Sequence, residues 1–130
     1  MQALPERVAA LIDARTFPTL ATVNANGSPQ TTVHWATRDG DAVLMSTVRG
    51  RRHARNLERD PRVSVLVMDS TDPYSYAEIR GVATLTEQGG RELIDDLNEK
   101  YHGVRPYPKD GPDVVRLVIR IEAERIVVRA

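Results

Sequence analysis

Two stretches rich in β-branched residues, Thr19–Val23 and Gln30–Thr37, stand on either side of Asn26-Gly27, and a second turn at Asp39-Gly40 leads into a third, Ala42–Val48. No other feature constrains the fold as much. Asn-Gly and Asp-Gly supply the positive-φ residues that two-residue hairpin loops require, so the chain is expected to run as antiparallel strands joined by tight turns. Local signals alone make these three strands a meander.

Strand patterns return downstream. Val63, Val65 and Val67 alternate with Ser64, Leu66 and Met68, which predicts a mostly buried strand ending in the loop Asp69–Pro73. Tyr74–Leu85 reads as a long strand, with Gly81 marking a bulge or a close approach. Val114–Ile121 and Arg125–Arg129 supply one or two closing strands. Three helices interrupt this pattern. Leu4, Val8, Leu11 and Ile12 recur at helical spacing and predict a helix over Pro5–Ala14, with Pro5 suited to a first turn. Arg51–Arg59 is a short helix closed by Asp60-Pro61, and Glu92–Tyr101 carries Leu93, Ile94 and Leu97 on one face. The order is α-βββ-α-ββ-α-ββ. Six to seven antiparallel strands of this length close on themselves to remove their edges. The expected fold is mainly β (α+β), a small barrel with about three helices packed outside. The 130 residues suffice for one domain, 1–130, and not for two.

Composition narrows the chemistry. There is no cysteine, which excludes disulfides, zinc–thiolate sites and thiol catalysis. His34, His53 and His102 lack metal-ligand spacing. Eighteen basic residues balance eighteen acidic ones, which argues against general nucleic-acid affinity. The first fifteen residues carry Glu6 and Asp13 and no long apolar run, so a cytoplasmic protein with no membrane span is expected.

Against that neutral background, Thr47–Leu57 concentrates Arg49, Arg51, Arg52, His53 and Arg55 where a strand hands over to a helix. The first helical turn presents unpaired N–H groups and a positive dipole end, and arginine's fork matches phosphate. Arg51 and Arg55, four apart, are expected on one helix face and Arg52 on another. Two readings stand at this point. The cluster is an anion site, or it is a solvated face paired to Glu58, Asp60 and Asp69. No aromatic residue lies within it, which counts against single-stranded nucleic acid.

The segments PTLATVNANGSPQTTVHW (18–35), STVRGRRHARNLERDPRVSVLVMD (46–69) and YSYAEIRGVATLTE (74–87) resemble the pyridoxamine-5′-phosphate-oxidase-like split-barrel superfamily. Within it they are most similar to deazaflavin (coenzyme F-420)-dependent oxidoreductases, over about Phe17 to Arg129. The resemblance implies an FMN-binding-like split β-barrel, a homodimer with two cofactor sites at the subunit interface, and hydride transfer to an activated double bond such as an enone or quinone in a small-molecule substrate. Carried over by position, it implies that Ser46, Thr47, Arg51, Arg52, His53, Arg55 and Asn56 hold the cofactor phosphate. Ser28, Pro29, Gln30, Thr31 and Thr32 would line its ring. His53 stands where many relatives carry lysine. The cofactor is F-420 or, alternatively, FMN in an oxidase or reductase of the same fold; a non-catalytic flavin carrier is the third reading. The cofactor ring does the chemistry in this superfamily, so no protein nucleophile or metal is expected. Tyr74, Tyr76, His34 or solvent are the candidate proton donors. Trp35 is a candidate to lie against the ring. Glu78 and Arg80 share a strand face and are expected as a structural ion pair across a symmetric interface. The loop Tyr101–Pro112, with His102, Arg105, Tyr107 and Lys109, is read either as a lid meeting the cofactor's acidic tail or as an ordinary polar loop.

Overall fold

The computed structural model describes residues 1–129. Three helices and seven strands follow in the order α1 (Glu6–Asp13), β1 (Thr19–Val23), β2 (Pro29–Val33), β3 (Ala36–Asp39), β4 (Ala42–Val48), α2 (Arg52–Arg59), β5 (Arg62–Met68), β6 (Tyr76–Thr86), α3 (Gly90–His102) and β7 (Arg116–Arg129). All strands join one antiparallel sheet, in the order β2-β1-β5-β6-β7-β4-β3.

Both tight turns form hairpins, β1–β2 and β3–β4. The three-strand meander does not form. The predicted strand Gln30–Thr37 splits at His34-Trp35, its first half pairing with β1 and its second with β4. The break has a local cause. His34 N–H bonds to the Pro18 carbonyl, and the Ala36 N–H donates to the Tyr101 hydroxyl at 3.1 Å, which takes it out of the ladder. The split has a global consequence. β2 and β3 are opposite edges of the sheet, yet only two residues separate them, a span of roughly 10 Å at most. The sheet must therefore curl until its edges meet, and the result is a split barrel.

Of the one or two closing strands expected, there is one, β7, which pairs along the whole of β6 with a bulge at Arg80/Gly81. Glycine is required there because a Cβ on Gly81 would run into the Glu122 carbonyl oxygen. The expected strand start at Tyr74 is also corrected. Tyr74 lies in a turn, its N–H bonded to Asp72, and β6 begins at Tyr76.

The core joins the apolar stripe of α1 (Val8, Leu11, Ile12) to the inward residues Leu20, Met45, Val65, Ile79, Ile119 and Ile121. A second cluster holds α3 through Leu93, Leu97 and Tyr101 against Trp35, Leu44 and Val118. Two further bonds tie α3 to the seam. Tyr101 donates to the Thr16 carbonyl at 2.6 Å, and Lys100 Nζ donates to the carbonyls of Ile12 and Ala36.

Candidate functional site

Chemistry-bearing residues gather where β4 ends. Gly50, at φ 98, turns the chain away from the strand, and Arg51 keeps extended geometry as the residue before α2. Side chains from the seam, from β4 and α2, from α3 and from the loop before β7 enclose a cleft of about 650 Å³. Its lining combines the cations Arg51, Arg52 and Arg116 and the rings of His34 and His53 with the aromatic and apolar side chains of Trp35, Tyr107, Phe17, Ile94 and Leu97.

The two histidines meet edge to face, ring centres 4.9 Å apart. Thr32 Oγ1 lies 2.7 Å from His34 Nε2, and Thr47 Oγ1 lies 2.6 Å from His53 Nε2. Burial pulls the His34 pKa from 6.5 to about 4, helped by His53 and Arg51. Burial and Arg51 likewise lower that of His53. Both rings are therefore neutral near pH 7, and His34 is also hydrogen-bonded to the Ser46 backbone.

Arg116 is buried. Asp110 grips it at Nε (2.7 Å) and Nη2 (2.8 Å) and also accepts from Arg91 Nη1 at 2.7 Å. These charge-assisted bonds hold the Asp110 carboxyl below the usual range, the Arg116 hydrogen bond contributing most. The Tyr107 ring lies over the Arg116 guanidinium at 4.9 Å, edge-on to Trp35. Tyr107's own backbone bonds Asp95 and Arg91. The loop is thus fastened at its centre, and Arg105 is occupied by Asp96 and Glu99.

The predicted site residues divide between two clefts. Thr32, Ser46, Arg51, Arg52 and His53 line the first; Thr47 stands behind His53. Ser28, Arg55 and Asn56 line a second cleft beyond α2, with Arg52 on the shared wall. Gln30 is bonded to Asn56, Thr31 faces outward from the sheet, and Pro29 is exposed at the start of β2. The expected helix-face pairing of Arg51 with Arg55 is therefore wrong. Arg51 precedes the helix in extended geometry, so helical spacing does not apply to it. Glu78 and Arg80 form the expected ion pair at 3.1 Å, but within one strand. Tyr74 and Tyr76 line neither cleft. Phe17 and Arg116 carried no local signal, and Ile94 and Leu97 signalled only a helix face and Tyr107 only a loop, because tertiary packing alone brings the five to the cleft.

The paired-surface reading of the arginines holds only for Arg49, which meets Glu87 at 3.4 Å. Asp60 pairs with Arg62 and Asp69 with Arg7. Among the described residues, Arg51, Arg52, Arg55 and Arg59 have no carboxylate partner, although most of the chain's other arginines do.

A family model described as pyridoxamine 5′-phosphate oxidase matches residues 4–128. The chain belongs to the pyridoxamine 5′-phosphate oxidase family. Solved structures agree on the split barrel. An F420 reductase is similar at 26% identity and a TM-score of 0.83, with 95% of this chain and 98% of that chain covered. A conserved hypothetical protein from Mycobacterium tuberculosis matches at 27% identity and a TM-score of 0.78, covering 97% of this chain and 84% of that one. A putative pyridoxamine 5′-phosphate oxidase from Listeria innocua shares the fold at 21% identity and a TM-score of 0.74, over 95% of each chain. Among the described residues of this family member, no helix is long and apolar enough to cross a membrane, and no cluster of three or more His, Asp or Glu could hold a metal.

Proposed function

We propose that this protein is a coenzyme F-420-dependent oxidoreductase, acting on a small molecule with an activated double bond. The observation that carries the reading is the first cleft itself, whose lining joins unpaired Arg51 and Arg52 to the aromatic side chains of Trp35, Tyr107 and Phe17. A ligand with a phosphate and a flat conjugated ring matches that combination. Similarity to an F420 reductase supports the deazaflavin over other flavins. The family's description keeps FMN as the alternative.

In this reading Arg51 and Arg52 hold the phosphate, joined by the free amides of the first turn of α2. Neutral His53 cannot add a cation, so the arginines carry the charge. Thr32, Ser46 and Trp35 border the ring, which when bound supplies the hydride. Tyr107, Ile94 and Leu97 exclude water from the cleft. His34 is the proton-relay candidate that lines it, while Tyr74 and Tyr76 lie elsewhere. The active unit is a homodimer whose partner completes the site.

Trp35 is the chain's one tryptophan and lines the cleft, so its fluorescence reports occupancy. Titration with F-420 is expected to quench it saturably, and FMN to quench it more weakly. Arg51→Ala and Arg52→Ala should each cost roughly 1.5–3 kcal/mol of F-420 affinity with the circular-dichroism spectrum unchanged. Tight FMN binding without any response to F-420 would move the assignment to an FMN enzyme. Oxidation of reduced F-420 by a panel of enones and quinones then tests turnover; binding with no turnover on any of them would mark a carrier.

A further inference from the structure

Helix α2 stands between two clefts, and only the first enters the function proposed above. The second, about 540 Å³, lies between α2 and the tip of the β1–β2 hairpin. Arg52, Arg55 and Arg59 form one wall, with Asn24, Asn26 and Ser28 facing them. Spacings of three and four residues set the three arginines on one helix face, where like charges repel and weaken the isolated helix. No ion pair offsets that repulsion. Arg52 and Arg55 have no carboxylate partner, and no Asp or Glu lines the cleft. Arg59 is anchored through Nη2 to the Val23 carbonyl and Asn56 Oδ1, which fixes its position without neutralising it.

The walls are also preformed. Asn56, buried at the base, has Thr22 Oγ1, Asn24 Oδ1 and Gln30 Oε1 within 3.0–3.1 Å of Nδ2, whose two N–H groups they share, bracing the hairpin against the helix. Asn26 turns its amide oxygen onto Ser28, so its NH2 is left as a donor. One anchored and two unpaired arginines and the free Asn26 amide around a void, with no Asp or Glu among the lining residues, match an oxyanion and little else.

We propose that this cleft is a second oxyanion site, taking a phosphate or carboxylate group distinct from the one held at Arg51. Arg52, on the shared wall, couples the two. The group is either a second acidic function of the ligand in the first cleft or a separate small anion, and the site does not depend on which cofactor the first cleft holds.

Inorganic phosphate is the probe, added to the ¹⁵N-labelled full chain at constant ionic strength and followed by NMR. The backbone amides of Asn24–Ser28 and the Asn56 side-chain amide should shift saturably. In Arg55→Ala that response should weaken by about tenfold, while the signals of His34, Trp35 and Ser46 titrate as before. Arg51→Ala should do the reverse, and Arg52→Ala should weaken both. Hairpin amides that stay still, or respond identically in Arg55→Ala, would overturn the second site even where the first responds. Repeating the titration with F-420 bound identifies the source. Displacement of phosphate from the second cleft assigns it to the same ligand; continued binding assigns it to a separate anion. Should F-420 fail to bind at all, the function proposed above falls while the phosphate response still decides this one.

Discussion

His34 and His53 lie beside the arginines of the first cleft, and both are held neutral, His34 by burial with His53 and Arg51, His53 by burial with Arg51. For His34 the cost can be assigned to a pH range. Its folded pKa of about 4 lies below the unfolded value of 6.5, so between those limits the unfolded chain binds more protons. Stability therefore falls as pH drops through that window and the penalty levels off below about pH 4, at a total of about 3 kcal/mol. Urea midpoints of the wild type and of His34→Gln at pH 7 and pH 4.5 isolate it. The variant is expected to lose about 2–3 kcal/mol less on acidification. Equal losses would mean that His34 is already protonated in the folded chain. The identity of this residue was legible as a site candidate, and so was the charge around it. Its neutrality was not, since that depends on burial against a histidine nineteen residues away in the chain.

Among the elements, α2 was the most legible, because charge, glycine and proline all mark its ends. What local spacing misjudged was which arginines share a cleft, and the error came from one residue standing outside the helix. The loop before β7 was the least legible. Its prolines and glycines indicate irregular backbone and say nothing of what fastens it. The fastening is the Arg91–Asp110–Arg116 cluster, in which the side chains of Arg116 and Asp110 are only 7% and 9% exposed. Removing the carboxylate charge leaves the Arg116 guanidinium buried without its counter-ion, a loss of about 3–5 kcal/mol. Asp110→Asn is thus expected to lower the melting temperature by about 10 °C or more. It should also disturb Trp35 fluorescence, because Tyr107 stands between that cluster and the tryptophan. A melting temperature within a degree or two of wild type would show that the loop is held by something other than this cluster.

At the scale of the whole molecule, the strand count and barrel closure followed from strand number and turn chemistry, while the pairing order did not. A two-residue interruption at His34-Trp35 has no strong signature, yet it separates a meander from a sheet whose edges are consecutive in the chain. The same topology leaves one sheet face uncovered. Ser64, Leu66 and Met68 of β5 point outward beside Tyr76, Glu78 and Arg80 of β6, and Thr19, Thr31 and Val127 extend that surface over three more strands. Leu66 and Met68 are 41% and 45% exposed, and Val33 on β2 is 69% exposed. Large apolar side chains left exposed on a sheet face suit an interaction surface, and alternation along β5 dictates theirs: with the valines turned inward, leucine and methionine can only face out. A second copy would cover these side chains through a self-complementary contact, as a two-fold dimer requires. Sedimentation of the wild type should give the dimer mass, and Leu66→Glu should give a monomer with an unchanged circular-dichroism spectrum. The monomer should also bind F-420 more weakly if the partner completes the cleft. A wild-type monomer, or a Leu66→Glu dimer, would leave this face without its proposed partner.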